Sequence, residues 1–263
     1  MRALDFGALT PSLTLARFAL LEAARSGLPW LVVGALGVGV GLSGFLSRLA
    51  LVESVALQAG VLAAFFRLTV VFLTAALVVT SIVRESNDKV TELILSLPIS
   101  RFSFYLGKLV GFSACGSIMA GIFSLTLLFW CAPLGVAAWC LSLILEVSLV
   151  VALSLFFVVT IGNIVPALAA VACTYFLSRV VASIQSISTS PLTGESTGLQ
   201  RLANGGVDLV AALLPPLDRA TRTEWLLYAP PSLGEFLQLA GLLLVYCALI
   251  FSAGMIDFHR RNL

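Results

Sequence analysis

The sequence predicts an all-α polytopic membrane protein with six transmembrane helices in a single domain spanning 1–263, and three observations predict it. Sixty per cent of the 263 residues are hydrophobic, 11% are charged and mean hydropathy is +1.08, whereas soluble domains carry about 25% charged and about 45–50% apolar residues. Six apolar runs are each long enough for a helix to cross a hydrocarbon core about 30 Å thick. The basic residues sit at the ends of those runs and form no patch suited to phosphates, which sets nucleic-acid binding aside.

The runs fall at about 29–47, 60–83, 108–130, 137–160, 164–184 and 236–256. Counted on alternate sides, one side holds nine Lys and Arg (Arg2, Arg17, Arg25, Arg84, Lys89, Arg101, Lys108, Arg260, Arg261) and the other holds six (Arg48, Arg67, Arg179, Arg201, Arg219, Arg222). Three of the six lie in the long loop before the last span, where charge weighs little, so both termini are expected on the cytoplasmic side.

Trp130 and Trp139 bracket an uncharged connection around Pro133 and read as an aromatic belt at the outer interface. Gly162, Asn163 and Pro166 leave room only for a tight turn between spans four and five. Gly37 and Gly41 have the small-xxx-small spacing that lets helix backbones approach, read here as ordinary packing. Ahead of the first span, residues 10–27 repeat apolar positions at Leu13, Leu15, Phe18, Ala19 and Leu21 with Arg17, Glu22 and Arg25 mostly set apart, the pattern of an interfacial helix. The polar loop 186–235 is the one sizeable external segment; its Leu199, Leu202, Leu209, Val210 and Leu213 could cap the bundle or dip into the bilayer edge, and the pattern leaves both open.

The five cysteines (Cys115, Cys131, Cys140, Cys173, Cys247) lie in or beside apolar runs with no CxxC, so they read as small hydrophobes and no metal site is expected. No cleavable signal peptide is expected, because an amphipathic segment precedes the first strong apolar run. Glu146 is the acid most clearly inside a span, a functional candidate by default. It lies about as far from the turn at 162–163 as Arg179 does, so at about 1.5 Å per residue the two reach similar depth and are expected to pair. Arg48 and Arg67, nearer the outer helix ends, are expected to snorkel to the interface.

The cytoplasmic loop reads RESNDKVTELILSLPISRFSFYLGK from Arg84 to Lys108. Charges four apart at Arg84 and Asp88, and at Glu85 and Lys89, suit a helix over 85–97, ended by Pro98. Glu85, the run Glu92-Leu93-Ile94-Leu95-Ser96-Leu97-Pro98-Ile99-Ser100-Arg101 and then Gly107-Lys108 resemble, in order and spacing, the pattern of type 2 ABC transporter permeases. The N-terminal helix ending Ala23-Ala24-Arg25-Ser26, the six spans and the large external loop extend the resemblance over nearly the whole chain. One position departs: Lys89-Val90 stands where the family usually has Gly-Thr.

The resemblance implies a permease subunit of an ABC exporter in a bacterial inner membrane. Residues 85–97 would be a coupling helix docking on a separate ATP-hydrolysing subunit, with Glu85, Lys89, Glu92, Pro98 and Arg101 as its coupling residues and the helix 10–27 bracing it. Two copies, or this chain and a paralogue, would form a dimer with spans two and five lining the path. ATP and Mg would bind the partner subunit. This chain has no cofactor and no phosphate-cradling loop of its own, since Gly107-Lys108 lacks a glycine at 102 and is followed by Leu109, so it is not expected to be an enzyme. The external loop is a candidate surface for a periplasmic partner. An ion-coupled carrier centred on Glu146 and a non-transporting assembly scaffold are the alternatives. An intramembrane serine protease built on Gly41-Leu42-Ser43-Gly44 lacks a general base, because the single histidine, His259, lies past the last span.

Overall fold

A computed structural model of the chain describes residues 9–49, 54–89, 100–188, 205–206, 214–220, 223–227 and 231–260. Among them the fold is helical, with α1 (Leu9–Arg25), α2 (Leu28–Leu49), α3 (Ser54–Asn87), α4 (Arg101–Leu127), α5 (Pro133–Ile161), α6 (Ile164–Ser188), two single turns α7 (Leu217–Ala220) and α8 (Glu224–Leu227), and α9 (Leu233–Arg260). Six of these, α2 to α6 and α9, are long and apolar enough to cross a membrane. The chain is a multi-pass membrane protein.

α5 is apolar almost all round, and a helix of that kind must be surrounded by others. Every residue from Leu149 to Leu155 is buried, and the helix packs against α3, α4, α6 and α9. It ends at Gly162, whose left-handed φ of 77° lets its N–H bond the Val158 carbonyl at 2.9 Å. α6 follows after Asn163, so the tight turn expected between spans four and five is present. α2, α6 and α9 lie at the periphery, with long apolar side chains such as Val38, Phe176 and Leu249 directed outward, as lipid-facing helices require.

α1 docks alongside α4 through small residues. Ser12 sits on Gly107, Ala16 and Ala19 on Gly111, and the Ala19 carbonyl accepts from the Cys115 thiol at 3.9 Å. A side chain at Gly111 would begin 2.8 Å from the Ala16 Cα, so only glycine permits this approach. The same contacts leave Leu13, Phe18 and Leu21 exposed beside Arg17 and Arg25. The small-residue seam is thus at 107 and 111, while Gly37 and Gly41 pack against nothing among the described residues.

The cytoplasmic helix expected over 85–97 is not continuous. Glu85 to Asn87 form the last turn of α3, and the chain turns at Asp88 and Lys89, where Lys89 takes φ 56°. Neither Arg84 with Asp88 nor Glu85 with Lys89 forms an ion pair. Residues 90–99, including Glu92 and Pro98, lie outside the described residues, as do Leu199, Leu202, Leu209, Val210 and Leu213 of the external loop.

Two stability changes follow from these backbones. A left-handed conformation costs a side-chain-bearing residue about 1–2 kcal/mol, so Lys89→Gly should stabilise the protein against SDS-induced unfolding by about 1 kcal/mol. Gly111→Val should destabilise it by about 1–3 kcal/mol through overpacking and should expose α1 to protease.

Candidate functional site

The chain's buried charge is concentrated at two levels of the bundle. The first lies among α3, α5 and α6, beneath the turns α7 and α8. Arg67 is 2% exposed and Glu146 0%, and Arg67 Nη1 donates to Glu146 Oε2 at 2.6 Å. Nη1 also donates to the Ala220 carbonyl at 3.1 Å, and Nη2 to Ser142 Oγ at 3.0 Å. The guanidinium carbon lies 5.3 Å from the centre of the Trp139 ring, a cation–π contact strengthened by exclusion of water.

The second Glu146 oxygen is occupied as well. Tyr175 donates its hydroxyl proton to Oε1 at 2.7 Å, and Arg179 Nη1 donates to the Tyr175 oxygen at 3.1 Å. The expected Glu146–Arg179 pair is therefore replaced by a relay: Tyr175, one turn before Arg179 on α6, stands between the two. The ion-pair partner is Arg67, which the sequence assigned to the interface. The apolar run near it begins about residue 60, but α3 begins at Ser54, which carries Arg67 some 20 Å into the bundle at about 1.5 Å per residue.

Two further expectations change with this network. Trp139 is 1% exposed and belongs to the core, not to an aromatic belt. The described part of the 186–235 loop packs into the bundle: Leu217, Ala220 and Leu226 are buried, and the Trp225 carbonyl lies 2.9 Å from where a side chain at Gly135 would begin. Arg67 is thus bonded at once to α5 and to the cap, a link that no spacing in the sequence signals.

The second level lies at the opposite ends of these helices. Lys108 of α4, buried between the Phe104 and Phe112 rings, forms an ion pair with Glu85 of α3. Arg101 donates to the Phe258 and His259 carbonyls at 3.5 and 3.3 Å, placing a cation at the C-terminal end of the α9 dipole. Phe104 stacks on Phe258, and Tyr105 packs on Phe251. Glu22 of α1 accepts from Ser81 of α3 at 2.8 Å. Of the five coupling residues expected from the sequence, Glu85 and Arg101 are therefore turned into the protein, clamping both ends of the 88–100 connection. Lys89 is exposed.

Ser43, the expected nucleophile of the protease alternative, donates to Gln58 Oε1 at 3.2 Å, and that oxygen also accepts from Trp130 Nε1 at 3.2 Å. It is a structural hydroxyl. Among the described residues no three metal-ligating side chains converge. The chain matches no protein-family model and no curated protein.

With both carboxylate oxygens engaged, the Arg67–Glu146 pair holds three helices and the cap together. Removing one partner of a buried ion pair strands the other charge and costs about 3–5 kcal/mol, whereas replacing both by apolar groups is often nearly neutral. Arg67→Leu and Glu146→Leu should each destabilise the protein by about that amount in SDS unfolding, and the double variant by much less than their sum.

Proposed function

We propose that this chain is the membrane permease subunit of an ABC exporter, coupling ATP hydrolysis by a separate subunit to movement of a substrate across or out of a bacterial inner membrane. The observation that carries the reading is the Glu85–Lys108 ion pair. Glu85 and Gly107-Lys108 are the outer marks of the sequence pattern shared with type 2 permeases, and their pairing gives that spacing a physical purpose. It fastens the two helices that flank the cytoplasmic connection, so that a push on the connection is delivered to α3 and α4 together and not absorbed by their separation.

Two observations add support. Residue 89, where the resembling family usually has glycine, adopts a backbone conformation that favours glycine, so the departure at Lys89 is one of residue and not of geometry. α1 is fixed to α4 by a close small-residue seam and to α3 by the Glu22–Ser81 bond, which suits a brace lying at the cytoplasmic interface with Phe18 and Leu21 toward lipid. On this reading both termini are cytoplasmic, and the permease acts as a dimer of two copies or of this chain and a paralogue. ATP and Mg are held by the partner subunit, and the 186–235 loop faces the periplasm. Glu85 and Arg101 then anchor the connection, leaving Lys89, Glu92 and Pro98 to meet the ATPase. A carrier mechanism through Glu146 draws no support from a carboxylate whose two oxygens are already committed.

The test is purification of the full chain from its native membranes in mild detergent, with identification of co-purifying proteins. An ATP-hydrolysing subunit should accompany the wild type and be lost with Glu92→Lys, while thermal stability of the variant stays unchanged. Absence of any ATPase after cross-linking would sink the reading.

A further inference from the structure

The buried network holds two arginines and one glutamate, and its charges do not cancel. Glu146 gives one oxygen to Arg67 and the other to Tyr175. The Tyr175 hydroxyl has spent its single proton on Glu146, so toward Arg179 it acts only as an acceptor. Among the described residues, all but one of the five N–H donors of Arg179 are therefore left without an acceptor. Among the described residues it has no carboxylate partner. It is half-buried and lies two residues before the end of the apolar span Ile164–Val181 of α6.

The surface around it is apolar and open. One turn toward the start of α6, Phe176 packs on Phe72 of α3 with ring centres 5.6 Å apart, and Phe72 meets the Tyr175 ring edge-on at 6.1 Å. Phe72, Phe176 and Val180 remain 36%, 47% and 48% exposed. An uncompensated guanidinium thus stands at the edge of an aromatic face between α3 and α6. A cationic ligand would be repelled there, and a neutral one would leave the charge undischarged. A planar fork of donors matches a phosphate or carboxylate.

Resting on the permease reading, we propose that Arg179 recognises the anionic group of an amphipathic molecule drawn from the bilayer, whose apolar body lies along Phe72 and Phe176. This defines the class of molecule the permease handles: a lipid-like anion, in preference to a cation or a water-soluble solute. Tyr175 serves as a positioning residue. It holds Arg179 in place while passing its own proton to Glu146, so the anion site is tied through Arg67 to the cap at Ala220.

The experiment uses the full chain in phosphatidylcholine nanodiscs doped with photoactivatable phosphatidylglycerol, with photoactivatable phosphatidylcholine as the neutral-headgroup control and labelled peptides mapped after irradiation. Phosphatidylglycerol should label α6 around residues 172–183 well above the control. Losing a charge-assisted hydrogen bond should lower that labelling about tenfold in Arg179→Gln, and Arg179→Lys should restore part of it. In the wild type, dodecyl phosphate should compete, while dodecyltrimethylammonium and inorganic phosphate at equal concentration should not. This competition decides the matter even if Arg179→Gln fails to fold. Equal labelling by the two lipids, unchanged labelling in a folded Arg179→Gln, or equal competition by inorganic phosphate or the cationic detergent would overturn the proposal. None of these measurements needs an ATPase, so failure of the anion site and failure of the permease reading are separate results.

Discussion

Charge inside a bilayer has to be answered from within the protein, and in this chain that requirement converges on Glu146. It lies in α5, the helix that packs against four other long helices, and it has no exposure. An isolated carboxylate there would face the cost of burial without compensation. Its two oxygens recruit Arg67 from α3 and Tyr175 from α6, and Arg67 in turn reaches the Ala220 carbonyl. One buried acid thereby fixes the rotation of two helices about their own axes and seats the turn Leu217–Ala220 on the bundle. Apolar packing in lipid is less able to do this, because lipid tails are as apolar as leucine and supply little drive for one helix face over another.

The opposite end of the bundle answers a different demand. A connection that receives force must be attached to helices that do not part under load. The Glu85–Lys108 pair, the Arg101 contacts with the end of α9 and the Phe104–Phe258 stack join α3, α4 and α9 at one end of the bundle. The two levels are bridged by α3, a 34-residue helix of about 51 Å that carries Glu85 at one level and Arg67 at the other. A tilt of α3 imposed at Glu85 would act directly on the buried network. That continuity gives the coupling hypothesis a mechanical path of one rigid element.

The features legible in the sequence were those fixed by composition along one helix. Six spans and the turn at Gly162 depend on hydropathy and a glycine, and each is where those signals put it. The relations between helices were legible only in part. Depth counting paired Glu146 with Arg179, but spacing says nothing of the rotation that interposes Tyr175. Arg67 was misread because an apolar run does not mark where a helix starts, and α3 begins before its run does. Trp139 looked like a belt residue because a tryptophan near a turn reads the same whether it faces lipid headgroups or an arginine. Gly107 was part of a motif whose packing use against α1, shared with Gly111, no one-dimensional pattern reveals, whereas the better-looking pair Gly37 and Gly41 meets nothing among the described residues.

The central claim is that the connection after α3 receives force from an ATP-hydrolysing partner, and site-directed photo-cross-linking in native membranes tests it most directly. A photoreactive amino acid at Lys89, exposed at the end of α3, should capture a nucleotide-binding protein on irradiation. The same group at Leu134, exposed at the opposite end of the bundle, should capture none. Capture of no protein at residue 89, or capture of the same protein from both positions, would contradict the account.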